Sequence, residues 1–221
     1  MPDRLLKLLA HLRHPESGCP WDRKQTPRSL CVTILDEAFE LVEAIEQGSN
    51  AQVQEELGDL LFQVMFVVGL YAESGQFGLE EVVAGIEAKL TRRHPHVFGN
   101  ERAETAGQVL TRWEQIKLTE GKQEHPLDSV PKALPALAQT RRLWHKAERL
   151  NWLPEKTADA SELSRLLVQV TAKTRPEDFA DLLFKLAVWG MEHDLDAEEL
   201  LRAANRQFKE KVKALGNKPG G

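Results

Sequence analysis

The chain has 221 residues, of which 42% are hydrophobic and 29% charged, and its formal net charge is −5 at pH 7. This length and composition allow a buried core and one or two domains. The acidic balance excludes nucleic-acid binding as the main role, because such a surface needs an excess of Lys and Arg.

Three further features predict a soluble cytoplasmic protein. Cys19 and Cys31 are too few for a disulfide framework and lack zinc-ligand spacing, so they fit a reducing compartment. The run from Arg4 to Leu9 is amphipathic, too short and too charged for a signal sequence. The longest apolar stretch, around Val64 to Leu70, is shorter than a membrane span. We therefore expect no membrane contact.

Apolar residues recur at helical spacing along most of the chain, and no run alternates as a strand does. Two such patterns, around residues 35–45 and 57–68, flank a turn at Gly48-Ser49-Asn50. Helices are also predicted over residues 3–13, 79–93, 105–119, 133–150, 160–172, 177–193 and 197–214. Residues 14–28, with three prolines and a glycine, are expected to be irregular. The predicted fold class is all-α, of the four-helix-bundle type.

An acidic stretch extends from Ser29 to Ala88, with twelve carboxylates and no Lys, Arg or His. Five of these carboxylates form two short patterns, Asp36-Glu37-x-x-Glu40 and Glu56-x-x-Asp59. Residues three and four apart lie on one helix face, where like charges repel. Two interpretations are open at this point: a solvated acidic face, or a site that binds a cation.

The turn between the two helices favours the cation site. Glu40 lies nine residues before Ser49 and Asp59 ten after it, while Glu37 lies twelve before and Glu56 seven after. At about 1.5 Å per residue, the four carboxylates fall within roughly 8 Å along a helical hairpin. Such convergence is unfavourable unless cations lie among them. Oxygen-only ligands suit Mg²⁺ or Mn²⁺, so the predicted metal ligands are Glu37, Glu40, Glu56 and Asp59.

Both acidic motifs, in residues 35–40 (LDEAFE) and 55–61 (EELGDLL), resemble those of the MazG nucleoside triphosphate pyrophosphohydrolases. Residues 18–26, 92–99 and 112–117 strengthen the resemblance, which extends over residues 1 to about 137. One departure is Asp36, a shorter carboxylate where the family has Glu, which can still reach the site through water. The resemblance implies an all-α homodimer that needs Mg²⁺. It also implies cleavage of a nucleoside triphosphate to the monophosphate and pyrophosphate, in nucleotide-pool house-cleaning.

Individual residues receive roles from the same resemblance. Glu37 and Glu40 are the catalytic candidates, and which carboxylate acts as the base stays open. Lys89, Arg92 and Arg93 share a helix face and suit phosphate oxygens, although cations also favour a helix C-terminus. Trp21 and Trp113 either stack on a base or pack in the core. The predicted substrate-binding residues are Asp36, Lys89, Arg92, Arg93, Trp113, Trp21 and Lys24.

A weaker repeat of the first module, residues 1–120, follows a predicted linker at 121–132. Residues 133–214 form this second module, and 215–221 a flexible tail. Full-length members of the family likewise carry two modules. At matched positions Glu40 becomes Arg165 and Lys89 becomes Gln207. Glu37 corresponds to Glu162, Glu56 to Asp178 and Asp59 to Asp181. A cation at residue 165 repels a metal ion, so the second module is predicted to be degenerate and catalytically inactive.

Two other function classes compete with the enzyme. A non-catalytic bundle that senses nucleotides or divalent ions would use the same acidic pattern without turnover. A di-iron carboxylate bundle needs Glu-x-x-His on two helices, and no His lies between Ser29 and Ala88. The sequence therefore favours the nucleoside triphosphate hydrolase.

Overall fold

The computed structural model describes residues 2–120, 125–153, 159–172 and 175–216. Within these ranges the chain is helical without β-strands, which confirms the predicted all-α class. The helices are α1 Pro2–Leu12, α2 Leu30–Gln47, α3 Asn50–Glu73, α4 Leu79–Arg93, α5 Pro95–Phe98, α6 Ala106–Thr119, α7 Ala136–Arg149, α8 Ala160–Ala172, α9 Pro176–Met191 and α10 Ala197–Gly216. The chain divides into two compact units, Met1–Arg92 and Arg93–Gly221.

The core of the first unit lies where α1 and α2 pack against α3. Leu9, Leu30, Phe66 and Leu70 form its buried cluster. A glycine lets α1 approach α3 closely, because a Cβ on Gly69 would lie 2.3 Å from a methyl group of Leu9. Apolar burial and close backbone approach thus fix α3 as the central helix of this unit.

A tight turn joins α2 to α3 as the sequence predicts. The backbone packs so closely that a Cβ on Gly48 would lie 2.6 Å from the carbonyl oxygen of Ala44. Ser49 and Gln52 then form a capping box: the backbone N–H of Ser49 donates to Gln52 Oε1 (2.8 Å), and that of Gln52 donates to Ser49 Oγ (3.4 Å). These bonds start α3 at Asn50 and turn the chain back along α2.

The irregular segment between α1 and α2 is fixed by an arginine. Arg13 Nε and Nη2 each donate to the carboxylate of Glu73 at 2.8 Å, and Arg13 Nη1 donates to the backbone oxygen of Asp22. Asp22 is buried and begins a single 3-10 turn, Asp22–Lys24. The bidentate pair therefore ties this segment to the C-terminal end of α3.

The second unit contains two small buried clusters. Trp144 of α7 packs with Val188 of α9. Leu166 and Val170 of α8 pack with Leu182 of α9. Helices α8 and α9 therefore form a second hairpin, and α7 packs on α9.

The helices predicted with explicit bounds are confirmed: 79–93 and 160–172 match at both ends, and the ends of the others differ by at most three residues. The short helix α5 does not appear among the predictions, because four residues after Pro95 are too few to establish a periodic pattern. In the predicted linker, residues 121–124 lie outside the described ranges and Pro126–Ser129 forms a 3-10 turn. In the predicted tail, residues 217–221 lie outside them too. No described helix combines the length and apolarity needed to cross a membrane.

Candidate metal and phosphate site

The α2–α3 hairpin brings three of the four predicted metal ligands together. One carboxylate oxygen from each of Glu37, Glu56 and Asp59 lies within 4.8 Å of the other two. Glu37 comes from α2, while Glu56 and Asp59 occupy adjacent turns of α3. The described residues supply no Lys, Arg or His in ion-pair contact with these three groups. The cluster therefore concentrates negative charge without a protein counter-charge.

Burial and mutual repulsion perturb two of these carboxylates. Partial burial raises the pKa of Glu37, and the charges of Asp59 and Glu40 raise it further. The pKa of Glu56 is raised for the same reasons, by desolvation first and then by repulsion from Glu40 and Asp59. The charged forms are thus unfavourable where they stand, and a cation among them relieves that cost.

A buried amide completes the cluster. Gln63 lies one turn after Asp59, is only 8% exposed, and forms a side-chain hydrogen bond with Glu37 that lowers the pKa of this carboxyl. Its Oε1 atom is buried and has no hydrogen-bond partner in the described part of the chain. Gln63 lies outside both acidic motifs and is not among the predicted site residues. The available signal is a polar residue in the apolar run Leu60-Leu61-Phe62-x-Val64, four residues after a predicted ligand.

The fourth predicted ligand, Glu40, lies beside the cluster. It is exposed, its charge raises the pKa of both Glu37 and Glu56, and with Glu56 it lines a cavity of about 400 Å³. Asp36 is also exposed on α2, and among the charges that raise the pKa of Glu37 it has the weakest effect. Glu40 therefore belongs to the same electrostatic group, with Asp36 at its edge.

The predicted phosphate-binding residues lie near the end of α4. Lys89 is half-buried and Arg92 exposed, both in the first unit. Arg93 begins the second unit, where its Nη2 lies 2.5 Å from Glu120 Oε2 and its guanidinium lies 5.4 Å from the ring centre of Trp113. Trp113 also makes an edge contact with His94 at 4.9 Å between ring centres. Arg93 and Trp113 thus form one stacked group.

The remaining two predicted substrate residues belong to the segment held by Arg13. Trp21 is 57% exposed, and Lys24 is exposed at the end of the 3-10 turn. An exposed indole on a fixed backbone is not a core residue, so the packing alternative for Trp21 does not hold in this unit.

The corresponding hairpin of the second unit has its own cations. Lys185 Nζ donates to Glu162 Oε1 at 2.5 Å and lies 3.4 Å from Asp181 Oδ2. Arg175 binds Asp178 through two nitrogen atoms, at 2.6 and 2.7 Å. The three acidic positions matched to Glu37, Glu56 and Asp59 are therefore each paired with a basic side chain.

One substitution accounts for much of this contrast. In the register that matches Asp59 with Asp181, Gln63 corresponds to Lys185. The amide in the first hairpin leaves the carboxylates without counter-charge, whereas the ammonium in the second neutralises two of them. Arg165, matched to Glu40, adds a third cation at 3.7 Å from Glu162.

Comparisons with known proteins identify the family. A model of the MazG nucleotide pyrophosphohydrolase domain matches residues 25–98, the region that contains both acidic motifs and Lys89, Arg92 and Arg93. The chain is 36% identical over 227 residues to the nucleoside triphosphate pyrophosphohydrolase of Escherichia coli (strain K12), covering 96% of this chain and 86% of that protein. The chain belongs to the MazG family, which confirms the resemblance seen in its sequence motifs.

Two Thermotoga maritima proteins are also similar. The chain is 36% identical over 220 residues to the nucleoside triphosphate pyrophosphohydrolase/pyrophosphatase MazG, covering 96% of this chain and 84% of that protein. The crystal structure of a MazG-related protein matches with a TM-score of 0.45 and 26% identity, covering 52% of this chain and 98% of that one.

From the raised pKa of Glu37 we predict how the stability of the metal-free fold changes when this carboxyl is removed. Protonation of this carboxyl favours the fold, so its contribution is present below the unfolded pKa of about 4.3 and is lost as pH rises through the folded pKa. In EDTA at pH 7.5, Glu37→Gln should therefore raise the melting temperature, by about 1–3 °C. Mg²⁺ should stabilise the wild type more than this variant. Differential scanning fluorimetry measures both effects.

The matched control is Glu87→Gln, which removes one carboxylate from α4, outside the cluster. Its melting temperature should respond to Mg²⁺ as that of the wild type does. Two results would contradict unrelieved repulsion in the cluster. One is a melting temperature of Glu37→Gln below that of the wild type in EDTA. The other is equal stabilisation of Glu37→Gln and the wild type by Mg²⁺.

Proposed function

We propose that this chain hydrolyses nucleoside triphosphates to monophosphates and pyrophosphate at the carboxylate cluster of the α2–α3 hairpin. The observation that carries the proposal is the convergence of Glu37, Glu56 and Asp59 within 4.8 Å on a hairpin without basic residues. Membership of the MazG family and the names of the E. coli and T. maritima relatives support the reaction. A role in removing unwanted nucleotides from the pool fits this chemistry.

The residues present fit a divalent cation, Mg²⁺ or Mn²⁺. The donors are all oxygens, which these ions prefer, and Glu37, Glu40, Glu56 and Asp59 would hold the ion. The buried Oε1 of Gln63, which has no hydrogen-bond partner among the described residues, is a further oxygen on the same helix as Glu56 and Asp59. A bound divalent cation supplies neutralisation of the triphosphate and a lowered pKa for the attacking water.

Among the chain's own groups, Glu37 and Glu40 are the proposed catalytic pair. A hydrogen bond with Gln63 lowers the pKa of Glu37 and so favours its charged form in the cluster. Glu40 is exposed and lies outside the group of three, so it either completes the cation's ligand shell or accepts a proton from water. These two roles for Glu40 remain alternatives.

Further substrate contacts are proposed from the family resemblance, at basic and aromatic side chains outside the cluster. Lys89 and Arg92 offer phosphate donors as a point charge and a fork. Arg93 and Trp113, already stacked on each other, suit the nucleotide's phosphate and base respectively. Trp21, Lys24 and Asp36 are weaker contacts proposed from the family resemblance.

Neutralising a ligand should abolish turnover. Asp59→Asn removes a charge that the cation needs, so pyrophosphate release from ATP with Mg²⁺ should fall by about 100-fold or more, equivalent to about 2.7 kcal/mol. Glu55→Gln makes the same charge change on α3 and should keep at least about half of the activity. Near wild-type release by Asp59→Asn would place the active site elsewhere. Metal and nucleotide binding without turnover in the wild type would instead favour the regulatory bundle.

A homodimer is proposed because the first unit exposes much apolar surface. Eight large apolar side chains of α2 and α3 are each more than a third exposed: Val32, Leu35, Phe39, Val42, Ile45, Leu57, Leu61 and Val64. Helix α4 adds Val82, Val83, Ile86 and Leu90, and none of its residues is buried. An apolar face of this extent normally marks an interface.

Light scattering tests the dimer. The chain mass is 25.0 kDa, so a homodimer should scatter with twice that mass at micromolar concentration. Ile45→Asp places a charge on the exposed face and should shift the mass towards that of one chain. The matched change Val97→Asp, at an exposed valine outside α2–α4, should leave the mass unchanged. A wild-type mass near 25 kDa would contradict the proposal.

Residues 1–120 are proposed to carry all hydrolytic activity, with 133–214 a degenerate module. The ion pairs of Lys185, Arg175 and Arg165 support this division, because they occupy the matched carboxylates. Glu37→Gln should abolish pyrophosphate release, whereas Glu162→Gln should leave it within about twofold while lowering stability. Equal losses of activity would mean that the second module contributes to the site. Loss only in Glu162→Gln would reverse the assignment.

A further inference from the structure

Gln63 is a buried amide that joins the two helices of the carboxylate cluster. It lies on α3 one turn after Asp59, and only 8% of its surface is exposed. Its side chain is hydrogen-bonded to the carboxyl of Glu37 on α2. Because its Oε1 has no hydrogen-bond partner in the described part of the chain, the amide nitrogen is the donor in that bond.

A buried amide in this state is unfavourable for the fold alone. Removing an amide from water without satisfying its oxygen destabilises the folded chain, whereas an apolar side chain of similar size fills the same space without that penalty. Buried polar atoms that lack a partner are rare in folded proteins. The bond to Glu37 therefore identifies the contribution of Gln63: it fixes a carboxyl that the charges of Asp59 and Glu40 repel.

The second unit repeats this contact with a charged side chain. Lys185 of α9 corresponds to this amide in the register that matches Asp59 with Asp181. Lys185 Nζ donates to Glu162 Oε1 at 2.5 Å, and Glu162 is the residue matched to Glu37. The side chain at this position thus reaches the same carboxyl in both hairpins. A lysine is accommodated there within an intact helix, with 20% of its side chain exposed.

We propose that Gln63 is a positioning residue that decides whether the α2–α3 hairpin binds a divalent cation. Its amide nitrogen holds the carboxyl of Glu37 beside Glu56 and Asp59, as hydrogen bonds to metal-ligating carboxylates commonly do. Because the amide is uncharged, the positive charge has to come from an added ion. A lysine in its place would make the same bond and supply that charge from the chain. The inference rests on the cation site of the proposed function, but it concerns binding of the ion and not the hydrolysis.

Titration of Mn²⁺ into the full chain, followed by the electron paramagnetic resonance signal of the free ion, tests the proposal. Gln63→Met keeps the length of the side chain but not its hydrogen bond, so Mn²⁺ should bind about 10- to 100-fold more weakly than to the wild type. Gln63→Lys should weaken binding by more than about 100-fold, because its ammonium pairs with Glu37 and repels the ion.

The matched control is Gln54→Lys, which adds the same charge at an exposed position of α3. Solvent and salt screen this charge, so the affinity for Mn²⁺ should change by less than about threefold. Circular dichroism of the three variants checks that the helices are retained. If Gln63→Lys does not fold, the comparison of Gln63→Met with the wild type decides the question.

Melting temperatures distinguish positioning from a purely structural role. In EDTA, Gln63→Lys should melt no lower than the wild type, since its ammonium relieves the repulsion among the carboxylates. Mg²⁺ should raise the melting temperature of the wild type and leave that of Gln63→Lys unchanged. A purely structural role would instead lower the melting temperature of Gln63→Met and leave its affinity for Mn²⁺ unchanged.

The proposal is overturned if the wild type binds no Mn²⁺, if Gln63→Met binds it as the wild type does, or if Gln63→Lys binds it as Gln54→Lys does. Pyrophosphate release that depends on Mg²⁺ and Asp59 but is unchanged in Gln63→Met would contradict this inference and leave the proposed function standing. Binding of Mn²⁺ that depends on Gln63, without release of pyrophosphate from any nucleoside triphosphate, would support the inference and contradict the proposed hydrolysis.

Discussion

Electrostatic repulsion within the α2–α3 hairpin is the constraint on which the first unit's chemistry depends. Packing around Leu9, Phe66 and Leu70 fixes α3, and the capping box at Ser49 fixes where the chain turns. Together they hold three carboxylates within 4.8 Å, although desolvation and repulsion raise the pKa values of two of them, Glu37 and Glu56. Folding energy thus maintains an arrangement that is unfavourable by itself. Such sites are where function is found, because a ligand can supply what the chain lacks.

The α2–α3 and α8–α9 hairpins both bring carboxylates together, but they differ in whether the chain itself supplies a positive charge. The first has Gln63 one turn after Asp59, and the second has Lys185 one turn after Asp181. Because the amide of Gln63 is uncharged, the first cluster can still bind an external cation. An ammonium in the second supplies that cation from the chain, in contact with Glu162 and Asp181. A repeated hairpin can therefore lose a metal site and retain its fold through exchange of a few side chains.

Much of the fold can be predicted from the sequence, because long amphipathic helices and the Gly48-Ser49-Asn50 turn leave clear periodic signals. The convergence of Glu37, Glu56 and Asp59 follows from the same turn, since helical rise converts sequence distance into height along the hairpin. Tertiary pairing is harder to predict. The contact of Gln63 with Glu37 joins two helices, and the ion pair of Arg93 with Glu120 spans 27 residues. Neither contact produces a periodic pattern in the sequence from which it could be predicted.

The basic residues of α7 show the same limit. They are visible in the sequence as a charge run, which usually means a solvated face. Lys146 is nevertheless buried, and its Nζ donates to Ser129 Oγ at 2.6 Å. Family membership identifies the enzyme class, while the packing of single side chains is seen only in the structure.

Anomalous diffraction from crystals soaked in Mn²⁺ tests the central claim most directly. Manganese scatters anomalously, so the ion's position can be assigned independently of the protein density. The account predicts a peak about 2.0–2.3 Å from carboxylate oxygens of Glu37, Glu56 and Asp59, and no peak beside Glu162 or Asp181. An ordered cluster without a peak, or a peak at the second hairpin instead, would contradict it.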